Sequence, residues 1–518
     1  MKRLHLIILL TIATLSLSSC DDFLDVQSPV SLKTEDFYST PKEAEQGLTG
    51  IYNGLLPISN YNMCMSDLRS DDVWTQPADD KQRDVVDISV FNPNIYTIST
   101  LNDAWVDYYK IISRANLFLE RVENLDFPAG ESVKLSFMGE ARFLRALAYF
   151  DLVRYFGRIP DAIRTLTSEE AFQLPQSESR EVYDKVILPD LLYAAGNMLE
   201  EPVTCDNVTA AAGRATIIAA KALLGRVYLT MAGYPLYDDT AFPLAEKYLK
   251  EVIDYAETTG KYWEPTRERW PHIWISDNDN RYHIFEIQYI AQKDYGNPMV
   301  FMSVPNVGTE YVSIKMGGYG FTWAAELASV YNQYPKDIRI DYTIDPAKKY
   351  FTKFFEHKIK RSELGYGDID GQIIDRTYFP INYPLIRLED VMLMYAEIVG
   401  PTDAGVEMVN RIRLRAGLPA LPETDLADDK FLQRVEEERR RELAFEGIRW
   451  HDLVRHNTYI EKVRNKFLNQ TVDGDGNPVN PQYRKYVNNI QPGTYLYPIP
   501  DTQMKARPGL YEQNEAYK

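Results

Sequence analysis

The sequence predicts a mainly α-helical chain: a repeat-like scaffold of paired helices, interrupted by long irregular, loop-rich insertions and a few short strands. Three observations predict it. Apolar residues recur at helical spacing over several long stretches, two regions rich in Trp and Tyr lose that periodicity, and small Ala and Gly residues stand where paired helices approach closely. At 518 residues the chain can bury a large core, and a helical repeat array of that length folds as one body, here expected over residues 34–518.

Lys2 and Arg3 precede an apolar run from Leu4 to Leu17 and then Ser18, Ser19 and Cys20, which marks residues 1–19 as a signal peptide too short to span a bilayer. The L-S-S-C ending resembles a bacterial lipobox, in which Cys20 becomes the lipidated N-terminus, and residues 20–33 read as its tether. Losing Lys2 and Arg3 with the leader takes the net charge from -18 to -20, which argues against nucleic acid or an anionic membrane surface as partner.

Thr34 to Leu56 reads as a first helix, with Phe37, Ala44, Leu48, Ile51 and Leu55 on its apolar face. Residues 60–100 are polar, aromatic and irregular, with Arg69, Asp71, Asp72 and Trp74; loops of that length tend to be functional. The helical frame resumes over 102–257. One stripe runs from Trp105 to Val122, a second from Phe137 to Tyr155 ends at Gly157 and Pro160, and further helices cover Glu181–Leu199 with a kink at Pro189, Arg214–Met231 and Phe242–Glu257. Leu224, Gly225 and Tyr228 form the L-G-x-x-Y core of a tetratricopeptide-like first helix, with Ala245 as the second-helix alanine after an insertion; Tyr395 and Ala404 keep the uninterrupted spacing. These residues serve packing.

Residues 263–384 lose helical periodicity and carry Trp263, Trp270, Trp274, Tyr289, Tyr295, Tyr319 and Trp323 among Gly, Asn, Pro and Asp, with a strand-like piece at His283–Ile290 and a helix expected from Thr322 to Tyr331. Trp270 and Trp274 read as a packed pair. The two irregular regions are expected to meet and form a ligand face, with Trp74 and Asp72 from the first and Tyr295, Tyr319 and Trp323 from the second as the contacting residues. Aromatic faces stack on the C–H face of a sugar ring while acids and amides take its hydroxyls, which gives roughly micromolar to millimolar dissociation constants per site.

The chain returns to helices at Leu388–Val399, Gly405–Ala416 and Asp429–Glu446. In Glu436 to Asn457, EEERRRELAFEGIRWHDLVRHN, opposite charges fall at i,i+3 and i,i+4 spacing, Gly447 ends the helix, and Trp450, Leu453 and Val454 open another. The charge run reads as structural. DGDGNPVNP, Asp473 to Pro481, lacks the twelfth-position Glu of a calcium loop and reads as a hairpin turn.

The block E-R-R-R-E-L-A-F-E-G-x-R-W-x-D-L, the N-terminal DDFLDV and FYSTPKEAEQGLTGIYNGL phrases, and the terminal Y-P-I-P at Tyr497 to Pro500 are similar to the SusD/RagB family of outer-membrane glycan-binding lipoproteins. The final QNEAY departs from the family's usual Q-N-P-G-Y. The resemblance implies a SusD-like fold, a lipid-anchored protein on the outer membrane with acidic residues after Cys20 accompanying export, oligo- or polysaccharide as ligand, and a SusC-like TonB-dependent transporter as partner.

No GxSxG elbow, Walker loop, HExxH or dinucleotide glycine motif is present. Cys64 and Cys205 have no zinc-ligand spacing, and His451 and His456 lie off a shared helical face, so neither metal nor cofactor is expected. A binder without turnover is the first reading. A surface glycoside hydrolase with a hidden Asp/Glu pair and a repeat-protein adhesin or assembly factor are the alternatives.

Overall fold

A computed structural model describes residues 37–75, 83–274, 281–303, 322–323, 334, 336–344, 351–354, 378–468 and 481–518. Cys20 with its leader, Tyr319 and the turn expected at 473–480 lie outside the described residues. Among the described residues no helix is long and apolar enough to cross a membrane.

Helix α1 (Pro41–Tyr52) starts later than expected because Thr40 builds a capping box. The Glu43 N–H donates to its hydroxyl at 3.3 Å, its own N–H donates to the Glu43 carboxylate at 3.1 Å, and Pro41 occupies the first turn, where an N–H is not needed. Helices α2 (Ser99–Val122) and α3 (Glu131–Phe156) follow the predicted stripes. α3 is buried on nearly every side, so its inward charges are paired: Arg145 donates to Asp190 at 2.7 and 2.8 Å, and Glu140 accepts from Arg214 at 2.7 Å. At the predicted kink the chain makes a π-helical turn, Tyr183–Ile187, ahead of α4 (Leu188–Asn197), because Pro189 has no N–H to continue the ladder.

Four more helices complete the frame: α5 (Ile217–Ala232), α6 (Phe242–Thr259), α7 (Leu388–Val399) and α8 (Asp403–Arg415). From α2 onward each helix packs on its successor, α6 on α7 included, although residues 263–384 run between them. The repeat motif explains one contact. A Cβ on Gly225 would come within 2.5 Å of the Leu249 side chain, so α5 and α6 approach at a distance only glycine permits. Tyr228 beside it stacks on Tyr248, ring centroids 6.0 Å apart.

The first irregular region is corrected by the structure. Residues 58–69 form short helical turns, Ile58–Tyr61, Asn62–Ser66 and Asp67–Arg69, and 62–73 are buried; polar residues survive there because they find partners. Of the second region, β2 (His283–Ile287) pairs antiparallel with β4 (Tyr383–Arg387), as the strand-like piece predicts, and Trp270 and Trp274 pack edge to face at 5.6 Å. Thr322–Trp323 is a strand, not the helix start expected. Cys64 is buried, Cys205 partly so, and both are free thiols.

Helix α9 (Asp428–Glu442) stops short of the predicted Glu446, and the chain turns through Phe445 (φ 64°) and Gly447 (φ 70°) into α10 (Arg449–Arg455). A Cβ on Gly447 would lie 2.6 Å from that of Asn62. The Gly447→Ala variant therefore combines backbone strain with a clash, and urea denaturation is expected to show a loss of roughly 2 kcal/mol or more.

Candidate functional site

The charged residues at the end of α9 face inward, and their partners come from far along the chain. Glu438 and Glu442 accept from Arg339 at 2.7 and 2.9 Å, and Arg339 also grips Asp337 at 2.7 and 2.8 Å. Arg387, at the end of β4, donates to Glu442 and Glu446; Arg415 of α8 bridges Glu389 and Glu442; Lys353 donates to Glu446 and to the carbonyls of Glu442 and Ala444. Every one of these residues is buried. Within the helix, Arg441 to Glu438 is a pair of the kind the spacing predicts; the rest of this cluster joins separate elements.

Burial alone would push the Glu438 carboxyl up, but the guanidiniums of Arg339, Arg441 and Arg413 outweigh it and bring it down to about 2. Glu442 is likewise held below the carboxylate range against burial by Arg415, Arg387 and Arg339. Burial brings the Lys353 ammonium down to about 8 despite Glu446.

The same run also holds the first region. Arg449 grips Asp71 with two bonds, 2.7 and 2.9 Å, Arg440 takes Asp72, and Lys466 on α11 (Tyr459–Leu468) donates to the Val73 carbonyl at 3.1 Å. Arg440 and Arg449 keep Asp71 low in spite of its burial; Asp72 lies high, through burial and the neighbouring Asp71 charge. The end of α9 thus fixes residues 337–339, 353 and 387 from the second region, and together with Arg449 of α10 and Lys466 of α11 it fixes Asp71 to Val73 from the first.

What this fixing delivers is a two-stranded ribbon. β1 (Trp74–Thr75) follows Val73 directly and pairs antiparallel with β3 (Thr322–Trp323), in a register that sets Trp74 opposite Trp323 and Thr75 opposite Thr322. Two of the five residues predicted from sequence, separated by nearly half the length of the chain, are therefore direct cross-strand partners. Tyr295 is 41% exposed on a loop tied down at both ends, by Tyr289 to Leu56 and Asn297 to Phe379. Asp72 is not placed to meet a ligand: its carboxylate is buried and taken by Arg440, so it positions the strand instead.

Two family models match the chain. The first, described as the SusD family, matches residues 283–517, and the second, described as starch-binding associating with outer membrane, matches residues 22–229. The chain belongs to the SusD family. The SusD-like protein P38 of Formosa agariphila is 25% identical over 89% of this chain and 92% of its own. Among solved structures, a SusD homolog from Bacteroides thetaiotaomicron superposes with a TM-score of 0.73 at 22% identity, covering 95% of this chain and 99% of its own. Surface glycan-binding protein A from Bacteroides fluxus does so with a TM-score of 0.72 at 23% identity, covering 92% and 99%. These likenesses establish a mainly helical SusD fold.

In this SusD-family chain, Arg440, Arg449 and Lys466, which hold the ribbon, escaped the sequence reading. The signal was partial: Asp71-Asp72 and the arginine run are each visible, but nothing in the linear spacing pairs them. The network also sets an acid limit. Folding lowers the Glu438 carboxyl from 4.5 to about 2, so its contribution, on the order of 3 kcal/mol, is complete above pH 4.5 and is lost as pH falls toward 2. Melting temperature is expected to drop steeply below pH 4.5. Glu438→Gln should flatten that dependence and destabilise at pH 7 by roughly 3–5 kcal/mol, since it leaves guanidinium charge buried without its counter-charge.

Proposed function

We propose that this protein captures oligo- or polysaccharide at the cell surface on the β1–β3 ribbon, holds it without cutting it, and passes it to a SusC-like TonB-dependent transporter. The observation that carries the reading is the register of Trp74 against Trp323. Residues directly opposite in an antiparallel pair occupy matching positions of the ribbon, so the backbone register pairs two tryptophans, the residue type on which sugar rings stack. Exposed Tyr295 is a further candidate for contact.

The names of relatives support the ligand class: one solved structure of the same fold is a surface glycan-binding protein, and one matching family model is described as starch-binding. Non-catalytic capture fits a platform made of rings rather than acids, with Asp71 and Asp72 engaged by arginines. Lipidation of Cys20 would tether the body to the outer membrane, where a transporter could strip the ligand from a weak site.

Affinity electrophoresis in gels containing plant, host or microbial polysaccharides tests the reading. Wild-type protein should be retarded by at least one neutral glycan. Trp74→Ala and Trp323→Ala should each lose that retardation while thermal unfolding stays nearly unchanged. A collapse of the melting temperature in both would place the rings in the core and overturn the site. Co-purification with a SusC-like transporter tests delivery.

A further inference from the structure

A cleft of about 300 Å³ opens between α2, the segment 160–174 and the C-terminal stretch that includes α12 (Asp501–Ala506). That volume is at the small end of ligand sites, about 300–1,000 Å³. Its wall is aromatic: Trp105 and Tyr109 lie 5.3 Å apart between ring centroids, and Tyr511 stands 6.5 Å from Trp105. Val106 at 42%, Ile163 at 54% and Phe172 at 56% are exposed around or beside its mouth. Trp105 is 4% exposed and Tyr511 5%, as the core stripe predicts for Trp105, while Tyr109 is half-buried and nothing in the ribbon's function uses it.

The charge in the cleft is unusual for this chain. Among the described residues no Asp or Glu lines it, although acidic residues outnumber basic ones 75 to 57. Arg164 at its edge is bound to Glu170 at 2.7 Å. Among the described residues Arg507 meets no carboxylate: one terminal nitrogen donates to Gln503 at 3.1 Å, the other reaches the Ala171 carbonyl at 3.4 Å, and its Nε has no acceptor. Its guanidinium lies against the rings of Tyr511 and Phe172, at 5.1 and 5.4 Å from their centroids. The arginines around α9, by contrast, each meet an acid from this chain.

We propose that this cleft is a second carbohydrate subsite, selective for a uronic acid residue: a pyranose ring against Tyr109 and Val106, backed by buried Trp105, with its carboxylate on Arg507. The ring face meets an apolar wall, and the carboxylate supplies the counter-charge that the chain itself withholds. The proposal takes its ligand class from the reading of this protein as a glycan binder, while its place and its charge selectivity stand apart from the ribbon.

The test is a titration of the full chain with sodium glucuronate, with glucose and sodium acetate in parallel at matched ionic strength, followed by tryptophan fluorescence and by heat. Glucuronate should saturate in the millimolar range, at least about tenfold tighter than glucose, and acetate should not saturate. Arg507→Gln should abolish the preference over glucose. Ser113→Trp, introduced from the exposed side of α2, should block the cleft without removing a buried group and so reads the site even if Arg507→Gln unfolds. Trp74→Ala should bind glucuronate as wild type does. Absence of saturation, equal binding of acetate, or a preference that survives Arg507→Gln overturns the proposal. Loss of glucuronate binding in Trp74→Ala would move the uronate to the ribbon, overturning the cleft while the ribbon stands. Glucuronate bound at the cleft by a protein whose neutral-glycan retardation survives Trp74→Ala would leave the cleft standing and remove the ribbon.

Discussion

The interaction on which the rest of the molecule depends is the buried cluster of arginines and carboxylates at the end of α9. Glu442 alone accepts from Arg339, Arg387 and Arg415, which belong to three different parts of the chain. Desolvating so many charges is expensive, and ion pairs of this kind contribute little net stability compared with a well-packed apolar core. What they supply is direction. An apolar contact tolerates sliding, whereas a guanidinium gripped by two carboxylates has one position and one orientation. Arg440 and Arg449 on one side, and Glu438, Glu442 and Glu446 on the other, therefore fix two segments that share no helix with each other.

The helical frame solves a different problem. The helices from α2 to α8 bury their stripes on one another in sequence order, and α6 and α7 remain neighbours across the long insertion between them. Because neither helix needs the insertion as a packing partner in that contact, residues 263–384 are free to serve elsewhere. Scaffold and site are thus separable in physical terms: apolar burial and close approaches such as Gly225 on Leu249 build the one, and charge pairing plus a minimal strand pair builds the other.

A two-residue pairing such as β1–β3 would not persist in water by itself. Here its approach is pinned immediately upstream, through Asp71, Asp72 and the Val73 carbonyl, so the entropy of bringing residue 74 into place is already met by the C-terminal helices. Pre-positioning matters for a shallow carbohydrate platform, whose ring contacts are individually weak and leave little to spend on ordering a loop. The arginine of the cleft near α12 is the reverse case, a cation placed among rings without an acid of its own.

The sequence by itself determined most helices, because a 3.6-residue stripe is a local property: Leu388–Val399 was legible to the residue, and Pro189 and Gly157 carry their own turn chemistry, whereas the Thr40 cap escaped the sequence reading, which starts the first helix at Thr34. Family membership was legible for the same reason, since the ERRRELAFEG block is contiguous. It also indicated which regions carry the rings. Only the tertiary structure decided that the polar segment 62–73 is buried, that Asp72 answers Arg440, and that Trp74 stands opposite Trp323. Charges and backbone hydrogen bonds pair according to where the packed frame brings them in space. Their strength depends on distance and desolvation, and neither is written in the spacing of residues along the chain.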